Sequence, residues 1–217
     1  MMGMGTLIIT AHPDTGSLTH QAAHRLQHLL GDATSTVAHL AQEGFDPRFT
    51  AQDRRDNLAR EISDPVVAAE QERVDEATDV VLVFPVYWWS MPALLKGWID
   101  RVFITGWAFG FDDTDRLVPS LGRLTMHLLP ISGTAEESFA RHGYAQSFTT
   151  QIQHGIIDYC GIQRGVTAFV YDSESGDDVT VARDLDVAAA SIAAAITAGR
   201  GDAAGTDPEG ALDSRGR

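Results

Sequence analysis

The 217-residue sequence is poor in cysteine, in basic residues and in long apolar runs. Its single cysteine, Cys160, excludes an internal disulfide and fits a reducing compartment. The 30 acidic residues outnumber the 16 lysines and arginines, and the net charge of −14 argues against nucleic acid or an anionic membrane as a general partner. The best candidate for a membrane span is interrupted by Pro85, Pro92 and Lys96. No basic segment precedes the first apolar run, so no signal peptide is expected and a cytoplasmic protein is predicted.

Several common site motifs are also missing from the sequence. It has neither a GxGxxG loop nor a GxxxxGK[ST] loop, so neither a Rossmann-type dinucleotide site nor ATP hydrolysis is indicated. It has no GxSxG elbow of the kind that marks a serine hydrolase. The histidines do not have metal-ligand spacing and Cys160 has no thiol partner, so no metal site is expected.

What the sequence does have is a regular alternation of short apolar runs and amphipathic stretches. The apolar runs predict strands at residues 6–11, 34–40, 79–84, 124–132 and 165–172, with helical patterns between them. This alternation predicts βαβ units, and therefore a parallel sheet with helices on both faces. Five strands favour an α/β, flavodoxin-like three-layer sandwich with strand order 2-1-3-4-5.

The chain is expected to form one domain followed by a tail. The predicted domain covers residues 1–198. Residues 199–217 contain Leu212 as their only large apolar side chain, so they cannot bury enough surface to offset the entropy of ordering and are predicted to be disordered.

Ligands of such sheets bind outside the carboxyl ends of the strands, which selects the loops at residues 12–20, 85–92 and 130–144. The first loop offers the hydroxyl groups of Thr15, Ser17 and Thr19 just where a helix begins. Together with the free N–H groups of the helix start, and with His12 as a further donor, they suit an anion such as a phosphate. The alternative is that Ser17 only caps the helix and the preceding residues make a turn.

The second and third loops carry aromatic and proton-bearing side chains. Tyr87, Trp88 and Trp89 lie between a buried strand and a helix, where they either line a pocket for a flat ligand or pack in the core. In the third loop, Ser132 and Gly133 allow a close approach of the backbone to a ligand. His142 and Tyr144 could exchange protons there, although a lone histidine in a loop is commonly a solvated surface residue.

The segments AHPDTGSLTH and FPVYWWSMPALLKGWIDRVFITGWAFGF closely resemble the phosphate loop and a long block of the flavodoxin-like NAD(P)H:quinone oxidoreductases. That family includes DT-diaphorase and the small bacterial quinone reductases associated with potassium-efflux systems. The resemblance extends from about residue 6 through the fifth predicted strand. Two departures stand out: the usual TTGG is PISG here, so Pro130 and Ile131 lack hydroxyl donors, and Phe139 replaces a frequent tyrosine.

The resemblance implies a bound flavin, FMN or FAD, and site residues at the matching positions. The flavin phosphate would lie at His12, Ser17, Leu18 and Thr19. The isoalloxazine ring would lie along Pro85, Val86, Tyr87, Trp88 and Trp89, with Ser132 and Gly133 at its other edge. Phe109 and Phe111 would approach the substrate across a homodimer. The short stretch after the second strand leaves little chain to cover an adenine, which favours FMN without excluding FAD.

The activity implied is hydride transfer from NAD(P)H through the flavin to a quinone or similar aromatic acceptor, by a two-electron ping-pong mechanism. Tyr144 or His142 is the candidate catalytic proton donor. Two alternatives remain open from the sequence: a flavin-bearing regulatory subunit of a potassium-efflux transporter, and an electron carrier of the flavodoxin type. The preference between NADH and NADPH is also open.

Overall fold

The computed structural model describes residues 5–204, which contain seven strands. They are β1 (Gly5–Thr10), β2 (Ser35–His39), β3 (Ala77–Pro85), β4 (Phe109–Phe111), β5 (Leu117–Pro119), β6 (Thr125–Ile131) and β7 (Gln163–Thr167). Five of them form one parallel sheet in the order β2-β1-β3-β6-β7. Counted along the sheet-forming strands this is the order 2-1-3-4-5, so the predicted flavodoxin-like topology is confirmed. β4 and β5 form a separate antiparallel hairpin.

Helices connect the strands and cover both faces of the sheet. They are α1 (Leu18–Leu30), α2 (Ala51–Ala59), α3 (Pro65–Asp75), α4 (Ala93–Val102), α5 (Glu136–Arg141), α6 (Tyr144–Phe148), which continues as a π-helix (Thr149–Asp158), and α7 (Asp178–Ala204). On one face, α1 and α7 pack against Ile8, Val81 and Leu129. On the other face, α3, α4 and the π-helix pack against Leu7 and Val80. Each face buries a continuous apolar core, which is the main stabilising contribution in a sheet of this kind.

The helix starts follow from local sequence. The Ser17 side chain accepts a hydrogen bond from the His20 N–H (3.4 Å) and caps α1. Asp64 caps α3 by accepting from the Val66 N–H (2.9 Å), and Pro65 occupies the first helical turn, where its missing N–H costs nothing. The Ser17 cap is the one that the alternative interpretation of the first loop predicts.

Two elements were not predicted, and one strand differs from its prediction. The stretch containing α2 reads as irregular because it is almost entirely polar, yet Thr50 and Asp53 form a capping box that starts a helix. The hairpin of β4 and β5 is too short to show a period. The predicted strand 165–172 is observed as Gln163–Thr167, with a register shift against β6 where the His127 ring accepts a hydrogen bond from the Val166 N–H (3.0 Å). Beyond it, the Ala168 and Val170 N–H groups still donate to the carbonyls of Leu128 and Pro130.

The final helix runs past the predicted domain boundary. α7 continues to Ala204, so the boundary at residue 198 falls inside it. Arg200 anchors this end by donating to the Thr6 hydroxyl near the start of β1 (2.7 Å) and to the Thr34 carbonyl just before β2 (3.2 Å). Residues 205–217 of the predicted tail lie outside the described residues. Between residues 5 and 204, no helix has the length and apolar character needed to cross a membrane.

Candidate cofactor site

A cavity of ≈ 160 Å³ at the carboxyl ends of β1, β3 and β6 brings together residues from all three predicted loops. Its position follows the rule that ligands of open parallel sheets bind at these strand ends. It is lined by His12, Ser17, Leu18, Thr19, Pro85, Val86, Tyr87, Ile131, Gly133, Ser173 and Glu174. Most of the residues proposed for cofactor binding therefore line the same cavity.

The first loop is a tight turn that presents hydrogen-bond donors to this cavity. The Gly16 N–H donates to the Asp14 side chain (2.8 Å), and the Ser17 N–H donates to the Asp14 carbonyl (3.2 Å). The Asp14 N–H donates to Nδ1 of His12 (3.0 Å), so a neutral His12 ring carries its proton on Nε2 and can donate from there. The turn and the cap of the alternative interpretation are both present, and they shape the loop without using up its donors.

The start of α1 supplies further hydrogen-bond donors to the same side of the cavity. The first N–H groups of any helix have no acceptor within the helix, and in α1 these belong to Leu18 and Thr19. Both residues line the cavity. The helix dipole adds partial positive charge at this end, so the cavity favours an anionic group despite the strongly negative charge of the whole chain.

A group of buried histidines lies behind the first loop. His20 is 2% exposed, and its ring lies 4.4 Å from that of His39. Burial lowers the pKa of both imidazoles, and the neighbouring His12 lowers the pKa of His20 further. Nε2 of His20 has no hydrogen-bond partner within the described residues. Both rings are therefore neutral near pH 7. Among residues 5–204, no three His, Cys, Asp or Glu side chains are arranged to hold a metal ion.

The aromatic run after β3 forms a strained two-residue turn. Tyr87 and Ser90 exchange backbone hydrogen bonds, each 3.1 Å, across Trp88 and Trp89. These two residues have φ angles of 50° and 61°, as a type I′ turn requires, although glycine or asparagine normally fills such positions. Trp88 is 86% exposed, so the core-packing alternative is wrong for this residue. Neither tryptophan lines the cavity, which ends at Tyr87.

The candidate proton donors lie beside this turn rather than in the cavity. The Tyr144 ring stacks on Trp89 with a centroid distance of 4.1 Å and an interplanar angle of 23°. The His142 ring lies 5.4 Å from that of Tyr144 and is exposed, as the surface alternative for a lone loop histidine predicts. The structure thus joins the second and third loops through a stack of rings.

Ser132 and Gly133 have different surroundings. Ser132 is buried, its N–H donates to the Val170 carbonyl (2.8 Å), and its hydroxyl oxygen accepts from the Thr134 N–H (3.0 Å). Its backbone donor is therefore already used within the protein, and only Gly133 lines the cavity. A Cβ atom on Gly133 would lie 2.9 Å from the carboxyl carbon of Glu174, so an added side chain would have to displace this exposed carboxylate.

Sequence reasoning missed two lining residues, Ser173 and Glu174. They follow the fifth predicted strand directly, so the rule about carboxyl strand ends could have found them. The Ser173 N–H donates to the Ser132 carbonyl (3.0 Å), which fixes this segment over the third loop. Of the two departures from the family pattern, Ile131 lines the cavity with its carbonyl bonded to the Val86 N–H (2.7 Å), and Phe139 is buried.

The predicted substrate residues lie apart from the cofactor cavity within one chain. Phe109 borders a second cavity of ≈ 540 Å³ together with Phe103 and Tyr159, and the two cavities share no lining residue. Phe111 is 43% exposed on the hairpin. Their contribution across a dimer stays a prediction.

Comparison with known proteins places this geometry in a family. The chain matches the flavodoxin-like fold family over residues 4–195. It is 33% identical over 193 residues to human ribosyldihydronicotinamide dehydrogenase (quinone), an alignment that covers 75% of this chain and 79% of that protein. The chain belongs to the flavodoxin-like NAD(P)H:quinone oxidoreductase family. Family membership makes it an oxidoreductase.

Two further relatives agree with this assignment. The chain is 30% identical over 176 residues to the uncharacterised NAD(P)H oxidoreductase YcaK of Escherichia coli, covering 77% of this chain and 86% of that one. The fold resembles that of an NAD(P)H:quinone oxidoreductase from Methanothermobacter marburgensis with a TM-score of 0.76 and 24% identity, over 87% and 96% of the two chains. At that identity the second comparison shows the fold alone.

Proposed function

We propose that the protein binds a flavin and transfers a hydride from NAD(P)H through it to a quinone or another planar aromatic acceptor. The observation that carries this proposal is the single cavity in which the helix start of α1, the loop after β3 and Gly133 meet. One end of that cavity offers donors for a phosphate, and the other offers backbone and aromatic surface for a ring. A flavin has both parts, and it is the cofactor that the resemblance of the sequence implies.

The lining residues fit a flavin as follows. The N–H groups of Leu18 and Thr19, with His12 and Ser17, would hold the phosphate. At ≈ 160 Å³ the cavity is smaller than the roughly 300–1,000 Å³ that encloses a whole ligand, so it would hold the phosphate and the sugar-alcohol chain. The isoalloxazine ring would extend along Pro85–Tyr87 toward the tryptophans. FMN is the simpler fit, since the cavity has no extension that would enclose an adenosine.

The bound flavin supplies two-electron hydride chemistry, and the chain's own residues supply position and protons. Trp88 and Trp89 would exclude water from the exposed face of the ring and offer a stacking surface to nicotinamide or acceptor in turn. Tyr144, with His142 behind it, would donate a proton to an acceptor oxygen. One shared stacking surface means that nicotinamide leaves before the acceptor enters.

The first experiment asks whether a flavin is present and which one. We expect the purified protein to be yellow and to release about one flavin per chain on denaturation, identified as FMN by mass. A colourless protein that gains no flavin absorbance when incubated with FMN or FAD would contradict the proposal. Initial rates at several fixed quinone concentrations should give parallel double-reciprocal lines, whereas intersecting lines would show that both substrates bind together.

The second experiment locates the phosphate. The double variant His12→Ala, Ser17→Ala removes two donors, and each charge-assisted hydrogen bond contributes about 1.5–3 kcal/mol. We expect flavin affinity to fall by at least about tenfold, measured by fluorescence titration of the flavin-free protein. Ser120→Ala, an exposed hydroxyl outside the cavity, is the control. Unchanged affinity in the double variant would leave the first loop as a turn and a cap only.

A further inference from the structure

The cofactor cavity contains an acidic side chain that phosphate binding does not explain. Glu174 lines it together with His12, Ser17 and the start of α1, which are the groups that would hold the phosphate. A carboxylate and a phosphate in a space of ≈ 160 Å³ repel each other, because both are negative. The arrangement is favourable only if the carboxylate meets a hydrogen-bond donor of its own in the same space.

The backbone around Glu174 holds its carboxylate against the third loop. The Ser173 N–H donates to the Ser132 carbonyl (3.0 Å), and the Ser132 N–H donates to the Val170 carbonyl (2.8 Å), so the two segments are bonded side by side. A Cβ atom on Gly133 would lie 2.9 Å from the carboxyl carbon of Glu174 and 3.1 Å from its Oε2. The carboxylate therefore lies next to Gly133, which has no side chain to separate it from this wall of the cavity.

The Glu174 carboxylate is free to accept hydrogen bonds. Within residues 5–204 no hydrogen bond and no ion pair involves it, whereas carboxylates nearby in the sequence are engaged: Asp177 accepts from the Thr180 N–H (3.1 Å), and Asp184 pairs with Arg183 (2.9 Å). An ionised carboxylate accepts hydrogen bonds at both oxygens and donates none. The group that it can bind in the cavity is therefore one that carries O–H or N–H donors.

We propose that Glu174 accepts hydrogen bonds from the hydroxyl groups of the cofactor's sugar-alcohol chain, and that this contact makes the cavity selective for flavins that carry such a chain. The inference rests on the proposed function, which places the phosphate and the sugar-alcohol chain in this cavity. The phosphate is mostly a dianion at neutral pH and offers acceptors, so the hydroxyl groups are the donors that these two parts bring. The lining thus provides N–H donors for the phosphate and a carboxylate acceptor for the chain.

Two ligands that differ only in these hydroxyl groups test the contact. One is FMN, and the other is the same flavin phosphate with a plain pentyl chain in place of the sugar alcohol. We expect Glu174→Gln to weaken binding of FMN to the flavin-free protein about tenfold, because an amide oxygen is a weaker acceptor than a carboxylate. The same change should leave the affinity for the pentyl analogue unchanged or raise it, since it only relieves repulsion of the phosphate. Fluorescence titration measures each dissociation constant.

Asp172→Asn is the matched control. It removes the same charge two residues away, from a side chain that does not line the cofactor cavity, and asparagine tolerates the φ of 51° at this position. We expect both affinities to stay as they are, because solvent screens an exposed charge outside the cavity. Glu174 is itself exposed, so its replacement should not disturb the fold, which thermal unfolding of the flavin-free variant checks.

Three results overturn the proposal. Unchanged affinity for FMN in Glu174→Gln would mean that the carboxylate meets solvent alone. An equal loss for both ligands would mean that Glu174 shapes its loop without binding the hydroxyl groups, and a gain for both would mean that it only repels the phosphate. Failure of the unmodified protein to bind either FMN or FAD would instead contradict the proposed function, so the two failures are distinguishable.

Discussion

At the scale of single residues, the most unusual feature is a backbone conformation that the sequence does not favour. Trp88 and Trp89 both occupy the left-handed region, which costs a non-glycine residue about 1–2 kcal/mol. Trp88 recovers little of this through packing because its ring is 86% exposed. Strained backbone of this kind clusters at ligand sites, which supports the stacking role that we propose for this turn.

This strain can be measured by changing Trp88 in two directions. Asparagine is preferred at the first position of a type I′ turn, so Trp88→Asn should raise the free energy of unfolding by about 1 kcal/mol. Trp88→Val also removes the ring but adds a β-branched side chain, so this variant should lower the free energy of unfolding. Both variants should raise the Michaelis constant for a quinone a few-fold, because a stacking contact contributes about 0.5–1.5 kcal/mol. Urea titrations measure the change in stability, and steady-state kinetics measure the change in the Michaelis constant. Equal stabilities of the two Trp88 variants would disprove the strain argument.

The buried histidines make stability depend on pH. The pKa of His20 is lowered in the folded protein by burial and by His12, from an ordinary value of 6.5. Below pH 6.5 the unfolded chain therefore binds a proton that the folded chain does not, and stability falls as pH falls. We expect His20→Phe to reduce this loss between pH 7.5 and about 5.5, measured by thermal unfolding. His28→Phe, at an exposed position of α1, should leave the slope as it is.

At the scale of elements, the position of α4 depends on one glycine. A Cβ atom at Gly97 would lie 2.2 Å from the carbonyl oxygen of Pro47 and 2.5 Å from its Cβ, so the helix and this loop could not keep their contact. α4 carries Trp98, which is fully buried and donates to Glu70 (2.9 Å). It also starts directly after the aromatic turn. The loop that would hold the flavin ring is thus set by how closely α4 approaches its neighbour.

The comparison of two glycines in helices tests this directly. Gly97→Ala should destabilise the protein by about 1–3 kcal/mol or more, because overpacking against backbone leaves no easy adjustment. Gly199→Ala lies in α7, where an added Cβ meets nothing within 4 Å, and should stabilise it by about 0.5–1 kcal/mol. Chemical denaturation shows whether each variant raises or lowers the free energy of unfolding. A neutral Gly97→Ala would show that the loop at Pro47 moves freely.

The elements that the sequence predicts well are those whose signal is local. β1, β3 and β6 are largely apolar runs, and the cap at Ser17 is recognisable by residue type alone. α2 was missed because it is almost entirely polar and so shows no apolar period; what holds it to the fold is a distant contact, between the buried carboxylate of Asp53 and Arg101 on α4 (2.8 Å). For the site, the position of the loops followed from the fold, but the ring contacts between them did not. No local pattern encodes a contact between loops that are more than fifty residues apart.

At the scale of the whole molecule, the chain presents an apolar surface on its hairpin. Phe111 on β4 is 43% exposed and pairs with Leu117, so these two side chains lie on one face of the hairpin. Val118 is 46% exposed on the opposite face, where it pairs with Gly110. Phe109 borders the second cavity. Exposed apolar side chains of this kind are typical of protein–protein interfaces. The hairpin is therefore the surface on which we expect two copies of the chain to meet.

Light scattering at micromolar concentration should give the mass of a homodimer. Phe111→Glu should reduce the mass to that of a monomer, because a buried, unpaired carboxylate at an interface is strongly unfavourable. Val179→Glu introduces the same charge at an exposed position of α7, 81% exposed, and should leave the mass unchanged. A monomer in the unmodified protein would contradict both the dimer and the placement of Phe109 and Phe111 at a shared site.

The cofactor cavity is assembled from residues between His12 and Glu174, which are contributed at widely separated points of the chain. During synthesis the phosphate loop is therefore made early, but the wall opposite it is complete only after β7 has been added to the sheet. A nascent chain could not bind the cofactor in a complete cavity until most of the chain had left the ribosome. Cofactor supply should then affect how long the finished protein survives rather than how quickly it folds, because a ligand that binds only the native state stabilises that state by mass action.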